Sequence, residues 1–202
     1  MDPNLDFEPY VTLRTEVDRL FETVRSRHAD LVRCRLGCDD CCNAVFELTL
    51  VEAAYVHFAF QSEAPRTERR KALRKADRSQ EQLRTLYLKT RERPISKSEL
   101  CLEIARARVE CPLHHEHRCL LHEHRPVTCR VYGIPTVVHG KGVTCGKSGF
   151  EPGVAYPTVN LDGIQNKLFI LSRDLIAGAG RPVPADITYS MAQALHGEIG
   201  CG

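Results

Sequence analysis

Cysteine dominates any chemical reading of this 202-residue chain, because its ten cysteines are bunched rather than spread. The first block reads Cys34-Arg35-Leu36-Gly37-Cys38-Asp39-Asp40-Cys41-Cys42. Four thiols this close can converge on one metal centre, since such short loops cost little closure entropy. Gly37 frees the backbone to turn amides towards bound sulfur. A second block supplies Cys111, Cys119 and Cys129, and Cys145 follows. Core packing explains neither block. The adjacent pair Cys41 and Cys42 is informative, because neighbouring side chains diverge in helix and strand alike. The pair is therefore expected to serve two metal centres, or one polynuclear cluster and a second partner. Eight thiolates suffice for two four-cysteine iron–sulfur clusters or for two zinc ions.

The spacing favours iron–sulfur, of the 4Fe–4S kind, over zinc. A Cys-x3-Cys-x2-Cys loop with one remote cysteine spreads four thiolates around a body larger than a single ion. Structural zinc sites more often use two separated pairs. The same loop has the spacing of radical S-adenosylmethionine enzymes, but Asp40 stands where those carry an aromatic residue, and no βα alternation appears. Arg125 and Arg130 flank Cys129 and are candidate cofactor contacts. They could donate hydrogen bonds to a net-negative cluster and raise its potential, or pair with Glu116 or Glu123 for structure alone. His114, His115, His117, His122 and His124 crowd the second block and read as a polar loop. His122 or His124 is the best choice if one ligand is not sulfur. Cys101, beside Leu100 and Ile104, reads as a packed thiol, and Cys201 as part of a frayed terminus. The stretch Gly140 to Ser148 lacks the spacing of a phosphate loop.

These residues resemble the YkgJ-type cysteine-cluster proteins, a CxxCxxCC zinc- or iron-chelating family. The first block matches the CC-ending motif, with an opening gap of three residues where the family has two. In the second block, Cys111-Pro112-Leu113, Arg118-Cys119-Leu120-Leu121 and His124-Arg125-Pro126-Val127-Thr128-Cys129-Arg130-Val131-Tyr132-Gly133 match the family signature more closely. The resemblance covers roughly residues 34–146. It implies Cys34, Cys38, Cys41, Cys42, Cys111, Cys119, Cys129 and Cys145 as ligands. A flagellin lysine N-methylase is similar over the same cysteines, but no methyl-donor or flagellin site is identifiable here.

The positioning elements read as helices. Leu13, Val17, Leu20, Phe21 and Val24 mark an amphipathic helix over 10–29. Thr49 and Glu52 form a capping box for a helix over 50–61, apolar on all sides through Leu50, Val51, Ala54, Tyr55 and Phe58. Residues 66–91 form a long polar helix ended by Pro94, and a shorter helix covers 98–107. A strand is expected within Val131 to Val138, a helix capped by Asn160 over 161–176 and stopped by Gly178 or Gly180, and a last helix near 187–196.

The net charge of +2 exerts no general pull on nucleic acid. Residues 66–93 carry 11 Lys/Arg against 4 Asp/Glu, yet only Tyr87 interrupts them as an aromatic, so a solvated face is the reading. No signal peptide or membrane span is visible, and a cytoplasmic protein is expected. In that reducing setting cysteine clusters mean metal or catalysis. The sequence thus predicts one mainly α domain over 1–202 with short irregular strands, organised around a metal-chelating core at 34–146. The leading function is iron–sulfur redox or electron transfer with a protein redox partner. The alternatives are a zinc-binding structural or interaction module and a cluster-containing enzyme such as a methyltransferase.

Overall fold

Helical spacing of apolar residues outweighs alternation along most of the chain, and the fold follows that bias. The computed structural model describes residues 5–91, 96–179 and 186–200. The helices are α1 (Glu8–Arg27), α2 (Leu50–Glu63), α3 (Arg66–Arg91), α4 (Lys97–Ala107), α5 (Val127–Val131), α6 (Leu161–Ala179) and α7 (Met191–His196). The strands are β1 (Leu48–Thr49), β2 (His114–His115), β3 (Arg118–Cys119), β4 (Thr136–Val138), β5 (Lys141–Val143), β6 (Val159–Asn160) and β7 (Thr188–Tyr189). The protein is mainly α, and among the described residues no helix is long and apolar enough to cross a membrane.

The centre of the fold is α2. Its capping box forms as expected: the Thr49 amide and hydroxyl both donate to Glu52 Oε2, at 3.0 and 2.9 Å. The other Glu52 oxygen accepts the Val127 amide at 3.0 Å, so one buried carboxylate joins the start of α2 to the start of α5. Leu50, Ala53, Val56 and Phe60 pack towards Ala72 and Ala76 of α3 and Leu195 of α7. Val51 and Tyr55 pack in the opposite direction, with Tyr10, Leu13 and Val17 of α1, Val131 of α5 and Leu168 of α6. Core on two sides buries the first half of α2, which explains its nearly continuous apolar sequence there, and the helix opens to solvent only from His57 onward.

Several expectations shift. Phe58 of α2 and Leu20 of α1 are exposed, at 53% and 44%, because the clusters flanking α2 stop short of them. The strand expected within Val131 to Val138 forms as β4 over its last three residues, while Val131 ends α5. The last helix is shorter than expected because Thr188 and Tyr189 pair with Thr49 and Leu48. It starts only after Ser190, whose hydroxyl accepts the Gln193 amide at 3.1 Å. Asn160 caps α6 as expected, accepting the Gly163 amide at 2.9 Å. The glycine-rich stretch is a hairpin, β4–β5, whose turn amides at His139 and Gly140 both donate to Asp162, at 2.8 Å each. A carboxylate already takes the amides that a phosphate would need. Gly180, Pro94 and Cys201 lie outside the described residues, as does the side chain of Cys101.

Candidate metal centre

The cysteines arrive from four segments. Cys34 and Cys38 lie on the irregular chain after α1, where Gly37 adopts φ +87° and the Cys38 amide donates to Arg35 O at 2.9 Å. Cys41 and Cys42 lie in a 3-10 turn, Asp40–Asn43. Cys111 precedes β2, Cys119 ends β3, and Cys129 sits in α5. Cys145 follows β5. The two blocks are joined through the backbone, with the Cys111 amide donating to Cys42 O at 2.7 Å. All eight line one cavity of about 690 Å3, and all eight are free thiols.

Close packing fixes Cys34. A methyl group built on Gly133 would sit 2.0 Å from the Cys34 sulfur, so glycine at 133 makes room for that thiol. The Cys145 loop is tied down by the Gly149 amide, which donates to Leu31 O at 2.8 Å.

Within the cavity the thiols fall into two neighbourhoods. Cys42 and Cys129 each feel the charges of Cys111 and Cys119, and all four feel Cys41. Cys34 feels Cys38, Cys145 and Cys41. Cys41 therefore stands between the groups. The adjacent pair meets in this cavity, with Cys42 in the first group and Cys41 facing both. The thiols of Cys129 and Cys42 both hydrogen-bond to Cys41, because the tight 3-10 turn brings both neighbouring sulfurs to the cavity. Those bonds hold Cys41 below the usual thiol range and push Cys129 and Cys42 up.

Burial dominates elsewhere. It pushes Cys111 up to about 12, with Cys119 adding to the rise, and Cys119 up to about 11. It also takes Cys34 to about 11, helped by the charges of Cys38, Cys145 and Cys41. Thiols so crowded cannot all ionise unless a cation shares the space. Three sulfurs nevertheless have backbone amides aimed at them, each from two residues downstream: Leu113 to Cys111, Leu121 to Cys119 and Lys147 to Cys145. Amide donors stabilise thiolate, which is the form a metal binds. This donor set suits either an iron–sulfur cluster or zinc.

The two arginines behave differently. Both line the cavity, but it is the charge of Arg125 that lowers the pKa of Cys34, Cys41 and Cys119. Arg130 is buried, and its Nη1 donates to both Asp18 carboxylate oxygens, at 2.8 and 2.6 Å, while Nε and Nη2 donate to the carbonyls of Arg125 and Glu123. Its guanidinium is committed to joining α1 to α5, through a partner the sequence did not single out.

The histidines also divide. His124 is engaged at both ring nitrogens, by Tyr55 at 2.9 Å and Glu63 at 2.8 Å. His122 lines the cavity with Nδ1 on Glu123 at 2.9 Å. The grouping that sequence reading missed is Asp39, His114 and His117, which offer ligand atoms within 4.8 Å of one another. Also missed was Asp40, which is buried and pairs with Arg108 at 2.9 Å while accepting from Cys145 at 3.5 Å. Two carboxylates inside the first cysteine block were the available signal. No protein-family model, curated protein or solved structure matches the chain.

Proposed function

We propose that the protein carries iron–sulfur clusters on its eight converging cysteines and serves in electron transfer. The observation that carries this reading is the convergence itself: four segments separated in sequence bring eight free thiols to one cavity. Cys42, Cys111, Cys119 and Cys129 would hold one centre, and Cys34, Cys38, Cys145 and Cys41 the other. Such a cluster supplies a one-electron redox couple when bound. Arg125 would then raise the potential, since positive charge favours the reduced, more negative state. The motif resemblance to YkgJ-type proteins supports the same ligand set. Free thiols in this number belong in a reducing compartment, so the reading places the protein in the cytoplasm, with a protein redox partner.

Anaerobic purification with iron and acid-labile sulfide quantification tests the proposal. Brown protein absorbing near about 400 nm, with matching iron and sulfide, is the expected result. Colourless protein with stoichiometric zinc would overturn it in favour of a zinc-stabilised module.

A further inference from the structure

The hairpin β2–β3 turns through Glu116 and His117, both with positive φ, 47° and 60°. A two-residue turn of this kind normally takes Asn-Gly, because both central residues must be left-handed. Here it projects His117 back over the first cysteine block, where Nδ1 lies 2.9 Å from Asp39 Oδ2. His114, at the start of the same hairpin, approaches the same oxygen from Nε2 at 3.4 Å.

The chemistry of His114 is the informative part. Its Nδ1 is 2.6 Å from Glu110 Oε1, and Lys75 lies 3.5 Å from the same oxygen. Lys75 also donates to His114 O at 2.6 Å, so the ring's carboxylate partner and its backbone are held by one lysine. In the neutral ring a carboxylate on Nδ1 selects the tautomer with the proton there and leaves Nε2 as a lone pair. That Nε2 is fully buried and has no hydrogen-bond partner. A lone pair facing a carboxylate oxygen is repulsive unless something positive lies between them. A tetrahedral ion with bonds of about 2.0–2.1 Å has ligand–ligand edges of about 3.3 Å. The 3.4 Å separation of His114 Nε2 from Asp39 Oδ2 matches that edge, while His117 Nδ1 hydrogen-bonds the same oxygen at 2.9 Å, a contact the ion would replace.

From this geometry we infer a divalent transition-metal site, separate from the thiols, in which Asp39, His114 and His117 are the ligands. Two imidazoles and one carboxylate suit zinc or ferrous iron and leave a coordination position open. Glu110 is a positioning residue that orients His114. Lys147, 3.6 Å from the far oxygen Asp39 Oδ1, leaves Oδ2 to the cation. Asp39 and His117 also line the cysteine cavity, so an exchangeable ligand on the ion would face the thiol centres. The inference does not rest on which metal the cysteines hold.

Cobalt(II), titrated anaerobically into protein purified with its thiol centres loaded, provides the test. Cobalt on cysteine shows intense near-ultraviolet charge transfer from sulfur, whereas cobalt on nitrogen and oxygen shows weak visible bands alone. The expected result is one added equivalent free of sulfur charge transfer. His117→Asn tolerates the left-handed turn, so the fold survives, and it should weaken that equivalent by at least about 100-fold, with the thiol-centre spectrum unchanged. Glu110→Gln should weaken it by about 10–100-fold. Two results would overturn the inference: wild-type protein taking up no sulfur-free equivalent, or His117→Asn and His114→Gln both binding cobalt as tightly as wild type.

Discussion

The two thiol neighbourhoods share a cavity but are held in different ways. Cys111 and Cys119 pack against the α2–α3–α7 cluster, and Cys129 lies in a helix whose Val127 and Val131 are buried. That helix is anchored by Glu52 through the Val127 amide and by Arg130 through Asp18. Cys34 keeps one side open to solvent although its sulfur is packed against Gly133, Cys145 is buried, and Cys34, Cys38 and Cys145 all sit on irregular chain positioned by glycines, loop hydrogen bonds and surface charges such as Lys147. The first neighbourhood is an extension of the hydrophobic core, and the second is a cover laid over it. The core-backed thiols should therefore govern folding, and the loop-borne thiols should govern access and exchange.

Removing one ligand from each neighbourhood sharpens this contrast most. Cys129→Ala should lose roughly half of the bound metal and unfold well before wild type, because metal-binding energy there is folding energy. Cys34→Ser should lose a similar share of metal with a smaller change in melting. Equal melting of the two variants, followed by calorimetry, would erase the distinction.

Glu52→Ala should come next, destabilising the protein by about 3–5 kcal/mol in urea unfolding, since it strands the Thr49 and Val127 amides in the interior. Glu52 also sets a pH dependence. Burial raises its carboxyl above the ordinary glutamate range, with the Thr49 and Val127 bonds opposing that rise. Between the ordinary and the raised values the unfolded chain releases this proton and the folded chain retains it, so stability should fall as pH climbs through that window. Glu52→Gln should flatten that slope in the pH dependence of urea unfolding.

Gly133→Ala tests the cover. The added methyl collides with the Cys34 sulfur, which must move. A cost of about 1–3 kcal/mol and depletion of loop-borne metal are expected, with the core-backed centre intact by metal quantification. The smallest effect belongs to Arg125→Gln. It should leave unfolding within about 0.5 kcal/mol of wild type while lowering the reduction potential measured by voltammetry, because it removes a positive charge beside the thiols.

Much of this arrangement was legible beforehand. Thr49 and Glu52 announced the start of α2, and the spacing of Leu13, Val17 and Val24 announced α1, since caps and helical periodicity are local. The cysteines that line the cavity could be picked out by their bunching. The exposure of Leu20 and Phe58 could not, because periodicity gives a direction and not the extent of the neighbour that covers it. Nor could the loss of helix at Thr188 and Tyr189, whose partners lie near residue 48. The histidines illustrate the same limit: five sit close together in sequence, yet His124 is sealed by Tyr55 and Glu63 while His114 is left with a bare nitrogen facing Asp39.

The sequence by itself determined which atoms are available, namely eight bunched thiols, a capping carboxylate and a helical framework, because residue chemistry and short-range periodicity are written in neighbouring positions. Tertiary structure alone decided how they are shared. It set Cys41 between two groups, gave Glu52 a second role on α5, committed Arg130 to Asp18 and brought Asp39 beneath the β2–β3 hairpin. Each of these depends on segments far apart in the chain meeting at angstrom range, and that meeting is set by how the helices pack.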